Sequence, residues 1–234
     1  MCATGTIGAM HWQLTGYNMS IEAGVHGVGV EERHVEFGNG LQGIVSGASA
    51  KRGAVIITHG AGRGMDAPLL VKTAERLAEL GFLVLRFNFG YLTRRGAPSL
   101  GGKNERPEVV AAIEFMREHG EPILIGKSFG GRVNSYVAAE RDDVRALVFY
   151  GLPLQGASKT AKPRDWSHLG KINVPMLFIT GDRDNLCPLA DLETVQKQIN
   201  AKFKSEVVPG DHSFKPKSEN AALEHCVAWV AKLG

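Results

Sequence analysis

Residues 122–140 restrict the possible folds of this chain more than any other stretch. The apolar run Pro122-Ile123-Leu124-Ile125 leads into Gly126-Lys127-Ser128-Phe129-Gly130-Gly131, and a helix-like segment follows over 132–140. That is a strand, a very tight turn carrying a serine, and a helix. A serine at the apex of such a turn is forced into a strained backbone conformation, so its flanking positions must be glycine to avoid clashes. The turn then holds the Ser128 hydroxyl above the sheet, with the N-terminus of the next helix aimed at developing negative charge. With 29 glycines in the chain a bare G-x-S-x-G arises easily by chance. The strand before it and the helix after it give the match its weight. Gly126-Lys127-Ser128 also matches the tail of a phosphate-binding P-loop, but that motif needs a glycine where this chain has Glu121, and a glycine-rich loop where it has a strand.

The rest of the chain alternates in the same way. Gly38-Asn39-Gly40 is a hairpin turn between strand-like runs 32–37 and 41–46. Short apolar or β-branched runs follow at 54–58, 83–89, 123–126, 146–150, 176–180 and 205–208, of the kind that fills buried parallel strands. Helical patterns lie between them, over 67–80 and 107–119, through Leu192, Val195 and Ile199, and from Ala222 to Leu233. A hairpin followed by strand–helix repeats predicts one α/β domain over 31–234, a mostly parallel sheet with helices on both faces. Residues 1–30 show neither period and take no assignment beyond a flexible or loosely docked N-terminal arm. Residues 152–173 are the longest irregular stretch, with room for a short helix but not for a cap domain.

Composition removes several function classes. A length of 234 residues, 44% hydrophobic and 22% charged, suits one soluble globular domain. A net charge of +3 gives no reason to expect nucleic acid or an anionic membrane as partner. The three cysteines, Cys2, Cys187 and Cys226, are too few and too scattered for a disulfide framework or a zinc site. No secretory leader pattern opens the chain, and no apolar run approaches the roughly 18 residues that span a bilayer. A cytoplasmic protein without cofactor or metal is the expectation.

Acyl transfer by a serine needs a base for the hydroxyl proton and a carboxylate that orients that base. In an open α/β sheet these come from loops at the carboxyl ends of strands, in the chain order serine, acid, histidine. Gly181-Asp182-Arg183-Asp184 follows one predicted strand, and Pro209-Gly210-Asp211-His212 follows the last. Among eight histidines, His212 alone meets both position and order. Asp184 is the better acid because it lies farther out on its loop; Asp182 suits a turn or cap, and Asp211 adjoins the base. Oxyanion donors are expected at the Phe129 N–H and in Thr58-His59-Gly60-Ala61-Gly62, where Ala61 comes first and Gly62 next. His59 itself fits a loop-shaping hydrogen bond. Arg63, Arg94, Arg95 and Lys103 read as solvated loop charges before substrate-binding ones, and Cys187 as a buried thiol before a reactive one.

Together, His59-Gly60-Ala61-Gly62-Arg63-Gly64-Met65-Asp66, the G-x-S-x-G turn, the Gly-x-x-Asp loop and Gly210-Asp211-His212 resemble the α/β-hydrolase superfamily from about Gly53 onward. The closer resemblance is to a lid-less group of Tex-type and dienelactone-hydrolase-like proteins. Ser128 stands where dienelactone hydrolases proper carry cysteine. The resemblance implies hydrolysis of a small-molecule ester or thioester through an acyl-serine. The rivals are an amidase or peptidase, which the same residue types serve, and an interaction protein that keeps the fold without turnover.

Overall fold

The structure is a computed structural model describing residues 23–25, 30–156 and 164–233. Its centre is set by runs that water-exposed strands do not carry: Ala54–Thr58 and Leu83–Phe87 are buried at every position, as is Ala146–Tyr150. Strands covered on both faces read in this way. Among the described residues the sheet has nine strands: β1 (Ala23–Val25), β2 (Glu31–Phe37), β3 (Leu41–Ser46), β4 (Ala54–Thr58), β5 (Leu83–Phe87), β6 (Ile123–Lys127), β7 (Ala146–Tyr150), β8 (Met176–Gly181) and β9 (Phe203–Val208). Their order is β1-β2-β3-β5-β4-β6-β7-β8-β9. The pairs β1–β2, β2–β3 and β3–β5 are antiparallel, and every pair from β5 to β9 is parallel.

The helices are α1 (Pro68–Glu79), α2 (Gly90–Thr93), α3 (Arg106–Met116), α4 (Phe129–Ala138), α5 (Leu189–Gln196) and α6 (Pro216–Val230). One core joins Leu70 and Leu77 of α1 and Cys226 and Val230 of α6 to Ile57, Ile125 and Val148 on one sheet face. The other joins Val109 and Ile113 of α3, Val133 and Val137 of α4 and Leu192 of α5 to Ile56, Leu124 and Phe149 on the opposite face. The result is one α/β domain with both faces covered.

From β4 the chain winds outward to β5, then returns past β4 to β6. The winding direction therefore switches between β4 and β6, and open α/β sheets leave a crevice at the carboxyl ends of the strands there. The loops that leave β4 and β6 carry His59–Gly62 and Ser128.

Several boundaries differ from those predicted, each for a local reason. The run at 83–89 stops as a strand at Phe87, because Phe89 caps the short helix α2. The pattern at 107–119 ends as α-helix at Met116 and closes in a 3-10 turn, Arg117–His119, before Gly120 at φ 87. Ile199 lies beyond α5, and Leu233 beyond α6. β9 starts two residues before the predicted 205; it is an edge strand whose exposed Lys204 and Ser205 mask its period. Within the stretch 1–30, residues Ala23–Val25 form an edge strand on β2; 1–22 and 26–29 lie outside the described residues. Of 152–173, the segment 157–163 also lies outside them, and the one helical piece described is a 3-10 turn at Ser167–Lys171.

Candidate active site

Ser128 leaves β6 with φ 51 and ψ −114, one of three described non-glycine residues at positive φ. Two contacts force that turn. A Cβ on Gly126 would meet Gly131 at 2.3 Å, and one on Gly130 would meet the Thr58 hydroxyl at 2.5 Å. The backbone of α4 thus presses directly on β6 and β4, and the chain between must fold back sharply. The Ser128 N–H donates to Tyr150 O at 2.9 Å, and Ser128 O accepts from the Arg132 N–H. Strain of this kind costs of order 1–3 kcal/mol and persists only where the surroundings over-determine it.

Ser128 Oγ lies 2.7 Å from His212 Nε2, and His212 Nδ1 lies 2.8 Å from Asp184 Oδ2. Asp184 is buried at 4% exposure, and its Oδ1 accepts the N–H groups of Leu186 and Cys187 at 2.8 and 3.0 Å. With Oδ1 filled, Oδ2 is left to accept from the imidazole. An ionised carboxylate only accepts, so Nδ1 carries the proton and the lone pair on Nε2 faces the Ser128 hydroxyl. Asp182 is engaged elsewhere: its Oδ1 accepts the Gly210 N–H at 2.7 Å, tying the acid loop to the histidine loop. Asp211 turns to Ser213, whose hydroxyl and then N–H hold its carboxyl below the usual range.

Two residues that sequence reading passed over shape this line. Gly151, at φ 62, ends β7, and a Cβ there would come within 3.0 Å of Asp184 Oδ2 and 3.2 Å of His212 Nδ1. Lys127, inside the serine turn, donates from Nζ to His212 O at 2.7 Å and lies 5.0 Å from the centre of the Phe214 ring. Burial pushes its pKa down to about 8 against the pull of Asp184 and Asp211. The lysine therefore ties the histidine loop to the strand bearing Ser128. Neither contact leaves a local pattern in sequence.

Gly60 brings the β4 loop against the turn, with a Cβ position 3.6 Å from Ser128 Cβ. Ala61 follows, its carbonyl held by the Tyr91 hydroxyl at 3.2 Å. The Phe129 N–H stands at the first position of α4, where no intrahelical acceptor exists. His59 is fully buried and structural: Nε2 accepts from the Phe89 N–H at 3.0 Å, so Nδ1 donates to Gly60 O at 2.8 Å. Burial lowers its pKa, keeping the ring neutral. Farther along the loop, Asn88 Oδ1 accepts the Met65 N–H, and buried Arg86 donates to Met65 O while pairing with Glu32 and Asp66.

Arg63, Arg94, Arg95 and Lys103 are all exposed. Cys187 is buried, and burial pushes its thiol up to about 12, out of the reactive range. Among the described residues no cluster of His, Cys, Asp or Glu could hold a metal ion, and no helix is long and apolar enough to cross a membrane.

A strained serine between β6 and α4, a histidine after the last strand and a buried acid after the one before it are arranged as in proteins that hydrolyse acyl bonds. Residues 51–232 match the family model described as an alpha/beta hydrolase domain, and the chain belongs to that family. Solved structures show the same fold. A dienelactone hydrolase from Anabaena variabilis is 23% identical, covering 91% of this chain and 97% of that one at a TM-score of 0.69. A cold-adapted esterase from an Arctic intertidal metagenomic library is 16% identical over 93% and 99%, at 0.71. An α/β serine hydrolase without lid from Xanthomonas campestris is 20% identical over 88% and 97%, at 0.65.

Proposed function

We propose that this chain is a serine hydrolase of small esters or thioesters, acting through an acyl-serine. The observation that carries this reading is the unbroken hydrogen-bonded line from Ser128 Oγ through His212 to buried Asp184. In the proposed reaction, Ser128 Oγ attacks the carbonyl carbon while its proton passes to His212 Nε2. Asp184 holds the imidazole in the required tautomer and stabilises the imidazolium. The oxyanion receives hydrogen bonds from the Phe129 and Ala61 N–H groups, each worth roughly 10²–10³ in rate in sites of this type. The carbon–oxygen or carbon–sulfur bond then breaks, and the leaving group takes the proton from Nε2. Water repeats the sequence: His212 takes its proton, hydroxide adds to the acyl carbon, and Ser128 leaves reprotonated.

Lys127 is a positioning residue in this scheme, since it fixes the backbone of the base and touches no reacting atom. A fluorophosphonate probe tests the reading. Covalent labelling that disappears in Ser128→Ala supports it, and an unlabelled, folded wild-type protein contradicts it.

A further inference from the structure

Three arginines lie beside this site without a counter-charge among the described residues. Arg106 opens α3, Arg132 lies in the first turn of α4, and Arg164 precedes the 3-10 turn. Arg106 and Arg132 lie over Tyr136 on α4, and Arg164 lies two residues before Trp166, whose ring also faces Arg132. The Arg106 guanidinium carbon is 3.8 Å from the Tyr136 ring centre, and that of Arg132 is 5.8 Å from it and 5.9 Å from the Trp166 ring. Arg164 is anchored on Pro153 O, and burial, followed by repulsion from Arg132, lowers its pKa. His168 stacks on Tyr136 at 3.9 Å, its Nε2 2.9 Å from Ser135 Oγ. Burial and the neighbouring arginines, against Asp165, bring its pKa to about 4, so it adds no charge at neutral pH.

Arg52 and Arg145 are also partly buried without a salt bridge, but each donates to a backbone carbonyl, of Ala231 and Arg52 respectively, and two other arginines are neutralised. Arg86 is paired with Glu32 and Asp66, and Arg141 with Glu114 and Asp143. Among the described residues Arg106, Arg132 and Arg164 make no salt bridge, and residues 157–163, which run into Arg164, include no acid. Asp165 is turned onto Ser167. The Nε atoms of Arg106 and Arg132 are buried with no acceptor. Aromatic faces offset part of the cost of gathering like charges. Planar guanidinium forks left with free donors suit the oxygens of a carboxylate or phosphate.

We propose that Arg106, Arg132 and Arg164 form a binding site for a phosphate or carboxylate group. Its place relates it to the chemistry. Arg132 lies one turn of α4 from Ser128, about 6 Å along the helix axis. Gly101, whose carbonyl accepts from Arg106 at 3.2 Å, adjoins Gly102, which packs against the Phe129 ring. Pro153 follows the strand end that carries Gly151. The anion is either the acid group of the substrate, a reading that rests on the proposed serine hydrolase, or a free ion.

Inorganic phosphate, titrated calorimetrically into Ser128→Ala protein at ionic strength matched with sodium chloride, tests the site without turnover. The proposal expects saturable binding that Arg164→Gln and Arg132→Lys each weaken at least tenfold. Arg117→Gln, about 16 Å away along α3, should leave that binding unchanged. No phosphate-specific binding, or equal binding in the folded arginine variants, overturns it. The source is read on otherwise wild-type protein from the ratio of kcat/KM for p-nitrophenyl hemisuccinate to that for p-nitrophenyl butyrate, which have acyl chains of equal length. A ratio well above one that collapses in Arg164→Gln, with competition by phosphate, assigns the site to the substrate. A ratio insensitive to Arg164→Gln, with phosphate binding still lost in that variant, assigns it to a free anion. Absence of turnover on both esters sinks the hydrolase reading while the phosphate titration still decides the site.

Discussion

Around Ser128 the support is backbone, whereas around Ala61 it is side chains reaching in from elsewhere. The serine turn is fixed because Gly126, Gly130 and Gly131 let α4 lie directly on β4 and β6. The β4 loop is fixed by His59 bonded to the Phe89 N–H, by Asn88 bonded to the Met65 N–H, and by Arg86 between Glu32 and Asp66. Close backbone packing is all-or-none and leaves its glycines in sequence. Side-chain bracing is graded and leaves scattered polar residues that carry no local signature. The two sides should therefore fail differently when altered.

The largest contrast is expected on the acid loop. Asp184→Asn should lower kcat by roughly 10⁴, because the amide permits the wrong imidazole tautomer. Asp182→Asn, which alters a loop tie, should cost less than about tenfold. If Asp182→Asn is the more damaging in steady-state assays, the acid is misassigned.

Next comes the direct test of backbone against side-chain support. Gly126→Ala puts a methyl 2.3 Å from Gly131, so it should not yield folded protein. His59→Leu should fold with a loss of about 1–3 kcal/mol for each buried polar group left unpaired. It should also lower kcat by about 10- to 100-fold with little change in KM, as a loosened oxyanion donor would. Circular dichroism melts and kinetics of the two variants separate these outcomes. A folded Gly126→Ala with near-normal activity would break the comparison.

Lys127 joins the two kinds of support, since it is a side chain of the turn itself. Lys127→Met should reduce kcat by about tenfold by freeing the His212 backbone, a smaller displacement than those that cost 10². Its stability effect should depend on pH. The folded pKa of about 8 lies below the ordinary 10.5, so between these values the unfolded state holds the extra proton and wild-type stability rises with pH. The melting temperature of wild type relative to Lys127→Met should climb from pH 8 to 10; a flat difference would contradict a buried, perturbed lysine.

The smallest effect concerns acyl length. The described parts of 152–173 form no cap, and Trp166 and Leu169 are buried in the core. Each CH₂ left in water forgoes roughly 0.8 kcal/mol. Across p-nitrophenyl esters kcat/KM should level off after a few carbons, and a steady rise to long chains would reveal an acyl groove.

The sheet was legible in sequence wherever strands are buried on both faces, because unbroken β-branched runs such as 54–58 have no other good use. It was least legible at the edges: β9 runs Phe-Lys-Ser-Glu-Val-Val and buries only Val208, and β1 sits in a glycine-rich stretch. For the candidate site, Ser128, Asp184 and His212 could be proposed because chain order and strand ends fix where such groups must lie. Gly151, Lys127 and the arginines around Tyr136 could not, since their meaning comes from contacts between segments distant in sequence. Phe89 shows the same limit, for it reads as a continuing strand but is turned aside by His59, 30 residues earlier.

The central claim is a covalent acyl-serine at Ser128. Rapid mixing with p-nitrophenyl acetate, followed by acid quench and peptide mass analysis, tests it most directly. The account predicts a release of p-nitrophenol close to one equivalent of enzyme before steady state, with one acetyl group on the peptide carrying Ser128 and none in Ser128→Ala. If acylation outpaces deacylation too little to show a burst, a phosphonyl adduct should accumulate on the same serine with a fluorophosphonate, fluoride being the group displaced. Turnover with neither adduct on Ser128, or an adduct at another residue, would contradict it.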